Sequence, residues 1–301
     1  MPRIAFLFPG QGAQTVGMAK ALCESQPAAK QLFDQAAEIL GYDLFSVCVN
    51  GPAERLDATE ISQPAIYVAS LAALESLKEI EPDAIGQCVA TAGLSLGEYS
   101  ALVFAGALGF ADGLKVVQIR GQAMQAASDA TPSGMVSILG PEVAQVEKMC
   151  EEAQSAGWIQ VANLLCPGNT AVSGETTACD AVQKIAEERG ARTIRLAVAG
   201  AFHTSIMKPA DETLANALRS IDMRPPRIPV WSNVDANPHT DPEVIRGLLV
   251  RQVLSPVMWE QTLRKLLAEG CDKFYEIGPG RVLAGTLKRV QRKVECVNIS
   301  A

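Results

Sequence analysis

Ser95 stands in GLSLG, residues 93–97, with the G-x-S-x-G spacing of a nucleophile elbow. An apolar run precedes it and GEYSALVFAGAL follows, so the turn joins a strand to a helix. Such a turn lifts the serine oxygen above the sheet and aims the next backbone N–H, here that of Leu96, at a developing oxyanion. The alternative is a turn serine that caps the following helix. A serine nucleophile needs a base, and the chain has only two histidines. His239 lies in DANPHTDPE, which reads as a solvated loop. His203 lies in AGAFHTS, where an apolar strand meets a helix. The helix N-terminus there disfavours imidazolium and keeps the ring able to accept a proton. Its alternative is a histidine satisfied by the core or by capping. No Asp or Glu stands out as its orienting partner.

Two further features bear on the same chemistry. FPGQGAQTVGM begins like a dinucleotide loop, but Thr15 occupies the place of the third glycine and no acidic ribose ligand follows. Close approach of backbone to a reacting carbonyl fits better, with the Gln11 N–H as a second oxyanion donor; a tight turn without chemistry is the alternative. In LKVVQIRGQAM, Val117, Arg120 and Met124 share one helical side, so Arg120 leans toward an apolar face. A buried guanidinium needs an anion. Either Glu98 supplies it as a structural ion pair, or a substrate carboxylate does, gripped by the planar fork.

The elements that must position these groups alternate between strand and helix. RIAFLFPG reads as a buried strand, a helical stretch follows from about residue 16 to 40, and QPAIYVASLAALESLK is helical after Pro64. AIGQCVATAG is the strand that ends at the serine, and Asp112 is placed to cap the next helix. From Gly134 to Val198 the order becomes β-α-β-β-α-β, the ferredoxin-like unit. Helices and the strands RIPVWSN, KFYEIG and VECVNI complete the larger part. The expected fold is α/β: an α/β-hydrolase-like core with a mostly parallel sheet, residues 1–130 and 199–301, and an inserted ferredoxin-like subdomain, residues 131–198.

Composition narrows the function. The 301 residues, 48% of them hydrophobic, suffice for a large core. A net charge of -7 argues against a nucleic-acid binder. No apolar run reaches the ~20 residues a membrane helix needs. The N-terminus reads as a strand, not a signal peptide. Eight scattered cysteines without a C-x-x-C pair read as reduced thiols of a cytoplasmic protein, and no Cys/His spacing suggests a metal site.

Taken together, FPGQGAQ, GLSLGEYSAL, VVQIRGQAM, VANLLCPGN, AGAFHTSIM, RQVLSPVMW and EIGPGRVL resemble the malonyl-CoA:acyl-carrier-protein transacylase family, in family order over nearly the whole chain. The resemblance implies an acyltransferase that moves malonyl from malonyl-CoA to the phosphopantetheine thiol of acyl carrier protein, by a ping-pong route through a malonyl-Ser95 ester. It implies His203 as base, Gln11 and Leu96 as the oxyanion hole, and Arg120 on the malonyl carboxylate. Gln252 falls beside the active site, and in the family a main-chain carbonyl there orients the histidine. Asn163 matches a position on the small subdomain without a derived role. Phe202 matches members that choose malonyl over 2-methyl-branched groups. Many members carry histidine where this chain has Leu94. No cofactor is implied, CoA being part of the substrate, and a monomer is expected. Arg192, Arg195, Lys208, Arg281, Lys288 and Arg289 are candidate contacts for the acidic carrier protein. The rival activities are an esterase or thioesterase on the same elbow and a non-catalytic scaffold.

Overall fold

A computed structural model describes residues 2–301. Strands β1 (Ile4–Phe8), β2 (Cys88–Gly93), β7 (Val230–Trp231), β8 (Pro238–His239), β9 (Lys273–Ile277) and β10 (Glu295–Ile299) form a six-stranded sheet in the order β10-β9-β1-β2-β7-β8. Every pairing is parallel except β7 with β8. All five residues of β1 are buried. Ile4, Phe6 and Phe8 enter one core and Ala5 and Leu7 the other, the two-residue alternation of a strand covered on both faces. The helix Thr59–Ile80 is almost wholly buried and packs on the helix Phe110–Ala130. An apolar circumference leaves such a helix no solvent face.

The second sheet is antiparallel. Strands β3 (Ser133–Leu139), β4 (Ile159–Cys166), β5 (Asn169–Glu175) and β6 (Arg192–Arg195) lie in the order β4-β5-β3-β6. The helices Val143–Ala153 and Thr176–Glu188 complete the β-α-β-β-α-β order. Val136 and Ile138 of β3 face these helices in a separate core, whereas Met135 turns back toward the larger one. The sheet therefore presents one face to its own helices and the other to the serine turn.

Several local expectations are corrected. Asp112 does not cap its helix: the cap is Gly109, and Asp112 sits in the first turn. There its charge still favours the positive helix end. The stretch 16–40 breaks at Gln26 into the helices Lys20–Ser25 and Pro27–Leu40, because Pro27 suits a first helical turn and not an interior. The buried helix starts at Thr59 and carries Pro64 inside. Residues 84–87 are the end of the helix Pro82–Gln87, and the strand begins only at Cys88.

Candidate active site

Ser95 occupies the turn between β2 and the helix Gly97–Phe104, with φ of 51°. L-residues rarely adopt that left-handed conformation. The flanking glycines are steric requirements. A Cβ on Gly93 would lie 1.9 Å from the Gly97 carbonyl carbon, and one on Gly97 would lie 2.1 Å from the Phe8 oxygen. The glycines thus let β1, β2 and the helix close around the serine.

Ser95 Oγ lies 2.9 Å from His203 Nε2, across 108 positions of sequence. His203 Nδ1 lies 2.8 Å from the Gln252 backbone oxygen. A carbonyl only accepts, so Nδ1 carries the proton and Nε2 is left free to accept one. Among the described residues no carboxylate serves as third member. His203 also has a positive φ, 62°, and its own carbonyl accepts from Gln160 Nε2 of β4 at 3.2 Å. The small sheet thereby helps hold the histidine. Burial, and secondarily the Arg120 charge, push the imidazole down to about 4, so it is neutral at physiological pH.

Arg120 is 1% exposed. Nη1 donates to Gln63 Oε1 at 2.6 Å, and Nη2 donates to Ser95 Oγ at 3.0 Å and to Gln252 Oε1 at 2.9 Å. Its Nε–H has no acceptor. Among the described residues it forms no ion pair with any carboxylate. The structural alternative of a direct Arg120–Glu98 pair is therefore corrected: the Gln252 side chain stands between them, donating to Glu98 Oε2 at 2.6 Å. A buried cation surrounded by neutral acceptors is an incomplete electrostatic arrangement that an incoming carboxylate completes.

The backbone N–H groups of Gln11 and Leu96 donate to no protein acceptor among the described residues, and both residues line the same cavity as Ser95, Arg120 and His203. Gly10 lets this loop approach, since a Cβ there would lie 2.3 Å from the Leu94 oxygen. Phe202 and Asn163 also line the cavity, and the Asn163 Oδ1 is buried without a partner. Leu94 is buried and lines the cavity. All the sequence-selected site residues thus meet at one place. His239 does not: it pairs with Asp235 at 2.9 Å, half-buried instead of solvated. Sequence reasoning missed Gln63, Asn233 and the bridging use of Gln252. Asn233 Oδ1 accepts from Ser95 N at 2.5 Å, and its Nδ2 donates to the Gly93 oxygen at 2.7 Å.

An activated hydroxyl, a neutral base, two free N–H donors and an unpaired cation suit acyl transfer from a carboxylated substrate. The acyl transferase domain family matches residues 5–299. The malonyl CoA-acyl carrier protein transacylase of Bacillus subtilis is 44% identical over 100% of this chain and 94% of its own. The chain belongs to the malonyl-CoA:acyl-carrier-protein transacylase family. Among solved transacylases, that of Coxiella burnetii superposes with a TM-score of 0.94 at 38% identity, covering 99% of this chain and 94% of its own. A malonyl-transacylase solved in complex with a type II PKS acyl-carrier protein superposes with a TM-score of 0.93 at 36% identity, covering 99% and 96%. Membership makes the protein an acyltransferase, built on the α/β architecture of its transacylase relatives. No helix among the described residues is long and apolar enough to cross a membrane, and no His/Cys/Asp/Glu group among them could hold a metal.

Proposed function

We propose that the protein transfers malonyl from malonyl-CoA to the phosphopantetheine thiol of acyl carrier protein, supplying fatty acid or polyketide synthesis. His203 Nε2 takes the Ser95 proton as Oγ attacks the thioester carbonyl. The tetrahedral oxyanion accepts from the Gln11 and Leu96 N–H groups. The C–S bond breaks, CoA leaves as a thiol with the proton from the imidazolium, and malonyl-Ser95 remains. The carrier thiol then gives its proton to His203, attacks the ester, and regenerates the serine. This is a ping-pong exchange in which acyl group and proton balance at each half. The observation that carries the reading is Arg120, a buried cation without a carboxylate partner, 3.0 Å from the nucleophile.

The malonyl carboxylate completes the Arg120 environment, Phe202 crowds a 2-methyl branch, Asn163 contacts the substrate from the cavity wall, and Gln252 acts behind the cavity by holding Arg120 and the Ser95 main chain. We assign residues 131–198 as an inserted subdomain that brings Asn163 and Gln160 to the site. Arg192, Lys208, Arg281 and Lys288 form no ion pair among the described residues, which suits reception of an acidic carrier; Arg289 donates to the Pro167 oxygen at 2.8 Å, and Arg195 is engaged with Asp180 at 2.9 Å. We take the enzyme to act as a cytoplasmic monomer without a cofactor; the eight free thiols suit a reducing compartment. The test is mass spectrometry of enzyme mixed with malonyl-CoA. A malonyl adduct on the peptide containing Ser95 is expected. Turnover without any adduct, or free malonate released as fast as CoA, refutes the transfer in favour of direct or hydrolytic chemistry.

A further inference from the structure

Glu98 is 2% exposed in the first turn of the helix after the serine, and the reaction above gives it no part. Its Oε2 is the common acceptor of two groups. Gln252 Nε2 donates to it at 2.6 Å and the Asn233 backbone N–H at 3.3 Å. Each of these residues then touches Ser95 from a different side. The Asn233 carboxamide oxygen accepts the Ser95 N–H at 2.5 Å. Gln252 Nε2 donates to the Ser95 carbonyl at 3.0 Å, while Gln252 Oε1 accepts from Arg120 at 2.9 Å.

A carboxamide has nearly the same shape either way round, so its partners decide which end faces which neighbour. With Glu98 as acceptor, the Gln252 nitrogen must face Glu98 and its oxygen must face the guanidinium. Reversal would set N–H against N–H at Arg120 and oxygen against carboxylate at Glu98. Asn233 is tied to the same oxygen through its main-chain N–H, while Ser95 N–H and the Gly93 oxygen set its carboxamide. The left-handed serine is thus clamped on both its peptide groups by residues that converge on one oxygen.

We propose that Glu98 is a positioning residue: through Gln252 it aims the Arg120 fork, and through Gln252 and Asn233 it holds Ser95 in its elbow conformation. This deepens the malonyl-transfer reading and rests on it. The required property is an acceptor at Oε2, which a glutamine can also supply; the negative charge itself is secondary. Other charged or titratable groups around Glu98 are Arg120 on the neighbouring helix, Asp235 after β7, and Tyr99 beside it on its own helix.

The experiment compares Glu98→Met, which keeps the volume and removes the acceptor, with Glu98→Gln, which keeps it. Acyl-enzyme formation is followed with malonyl-CoA and with acetyl-CoA, and kcat and KM are separated for each. In E98M, kcat falls for both substrates because Ser95 loosens. The malonyl-over-acetyl ratio of kcat/KM falls by a further factor of about 10 or more, the usual worth of one charged hydrogen bond. E98Q recovers both quantities to within about 3-fold, at the low end of the effect of one neutral hydrogen bond. An unchanged ratio in E98M, or an E98Q enzyme as unselective as E98M, overturns the proposal. Gln252→Met supplies the same answer if E98M does not fold: its ratio must fall likewise, and a retained ratio overturns the proposal. A wild-type enzyme that shows no malonyl preference refutes the function itself, before any variant is compared.

Discussion

Replacing Arg120 by methionine keeps most of the buried volume and removes the fork. A malonyl carboxylate gripped at two points loses two charge-assisted bonds, each about 1.5–3 kcal/mol. The malonyl-specific loss is therefore about 3–6 kcal/mol, a factor of about 10² to 10⁴ in kcat/KM. Acetyl has no carboxylate, and it loses only the support that Arg120 gives Ser95 Oγ at 3.0 Å. That is a single bond, a factor of about 10 to 10². Malonyl loses that bond as well, so it cancels, and the malonyl-over-acetyl ratio should fall by the malonyl-specific factor of about 10² to 10⁴. The fold itself pays separately: Gln63 Oε1 and Gln252 Oε1 lose their donors, at about 1–3 kcal/mol for each buried acceptor left unmade. Thermal denaturation measures that part, and quenched-flow acylation with the two thioesters measures the rest. Arg120→Lys is the sharper control, because an ammonium keeps the charge without reaching Gln63, Gln252, Ser95 and a substrate together. Equal losses for malonyl and acetyl in R120M refute the reasoning and make Arg120 structural.

Gly97→Ala forces a methyl to within 2.1 Å of the Phe8 oxygen, so denaturant titration should show a loss of about 1–3 kcal/mol or more, whereas Gly86→Ala, with open space around it, should be neutral or stabilising. The buried pair Glu98 and His203 should leave opposite marks on stability. Burial raises Glu98 to about 7, so between pH 4.5 and 7 the native state binds the extra proton and this contribution weakens as pH rises. Burial lowers His203 to about 4, so between pH 4 and 6.5 the unfolded state binds it and this contribution strengthens as pH rises. E98Q minus wild type should therefore isolate a slope of about 1.4 kcal/mol per pH unit across the shared window, and a flat difference contradicts it. Phe202→Ser should admit methylmalonyl-CoA while malonyl transfer changes little, since the ring lines the cavity beside the base; unchanged discrimination would place the selection elsewhere.

The parts of the site legible in the sequence are those with unusual local requirements. Ser95 announced itself through two glycines that tolerate no Cβ, and Arg120 through a charge on an apolar helical face. The strand–helix alternation gave the parallel sheet, and the changed rhythm after residue 131 gave the antiparallel one. What stayed hidden has no local signature. The partner of His203 is a main-chain carbonyl at Gln252, and every residue owns a carbonyl. Gln63 and Asn233 are ordinary carboxamides whose role arises only when distant segments meet, across 57 positions to Arg120 and 138 to Ser95. Asp112 was misplaced because capping depends on where a helix begins, and Gly109 begins it three residues earlier.

The histidine leans on a neutral carbonyl, and this sets a limit on the bonds the enzyme can cut. With no anion beneath it, the ring holds a second proton only at an energetic cost and surrenders it readily. A thiol departs easily, because with a pKa of about 8.5 its thiolate is a stable leaving group and needs little help from an acid. An amine departs from an amide only after protonation, so the ring must hold the charge until the C–N bond breaks, and a neutral carbonyl does less than an anion to support that charge. The same arrangement therefore suits the proposed exchange between thioesters better than amide cleavage.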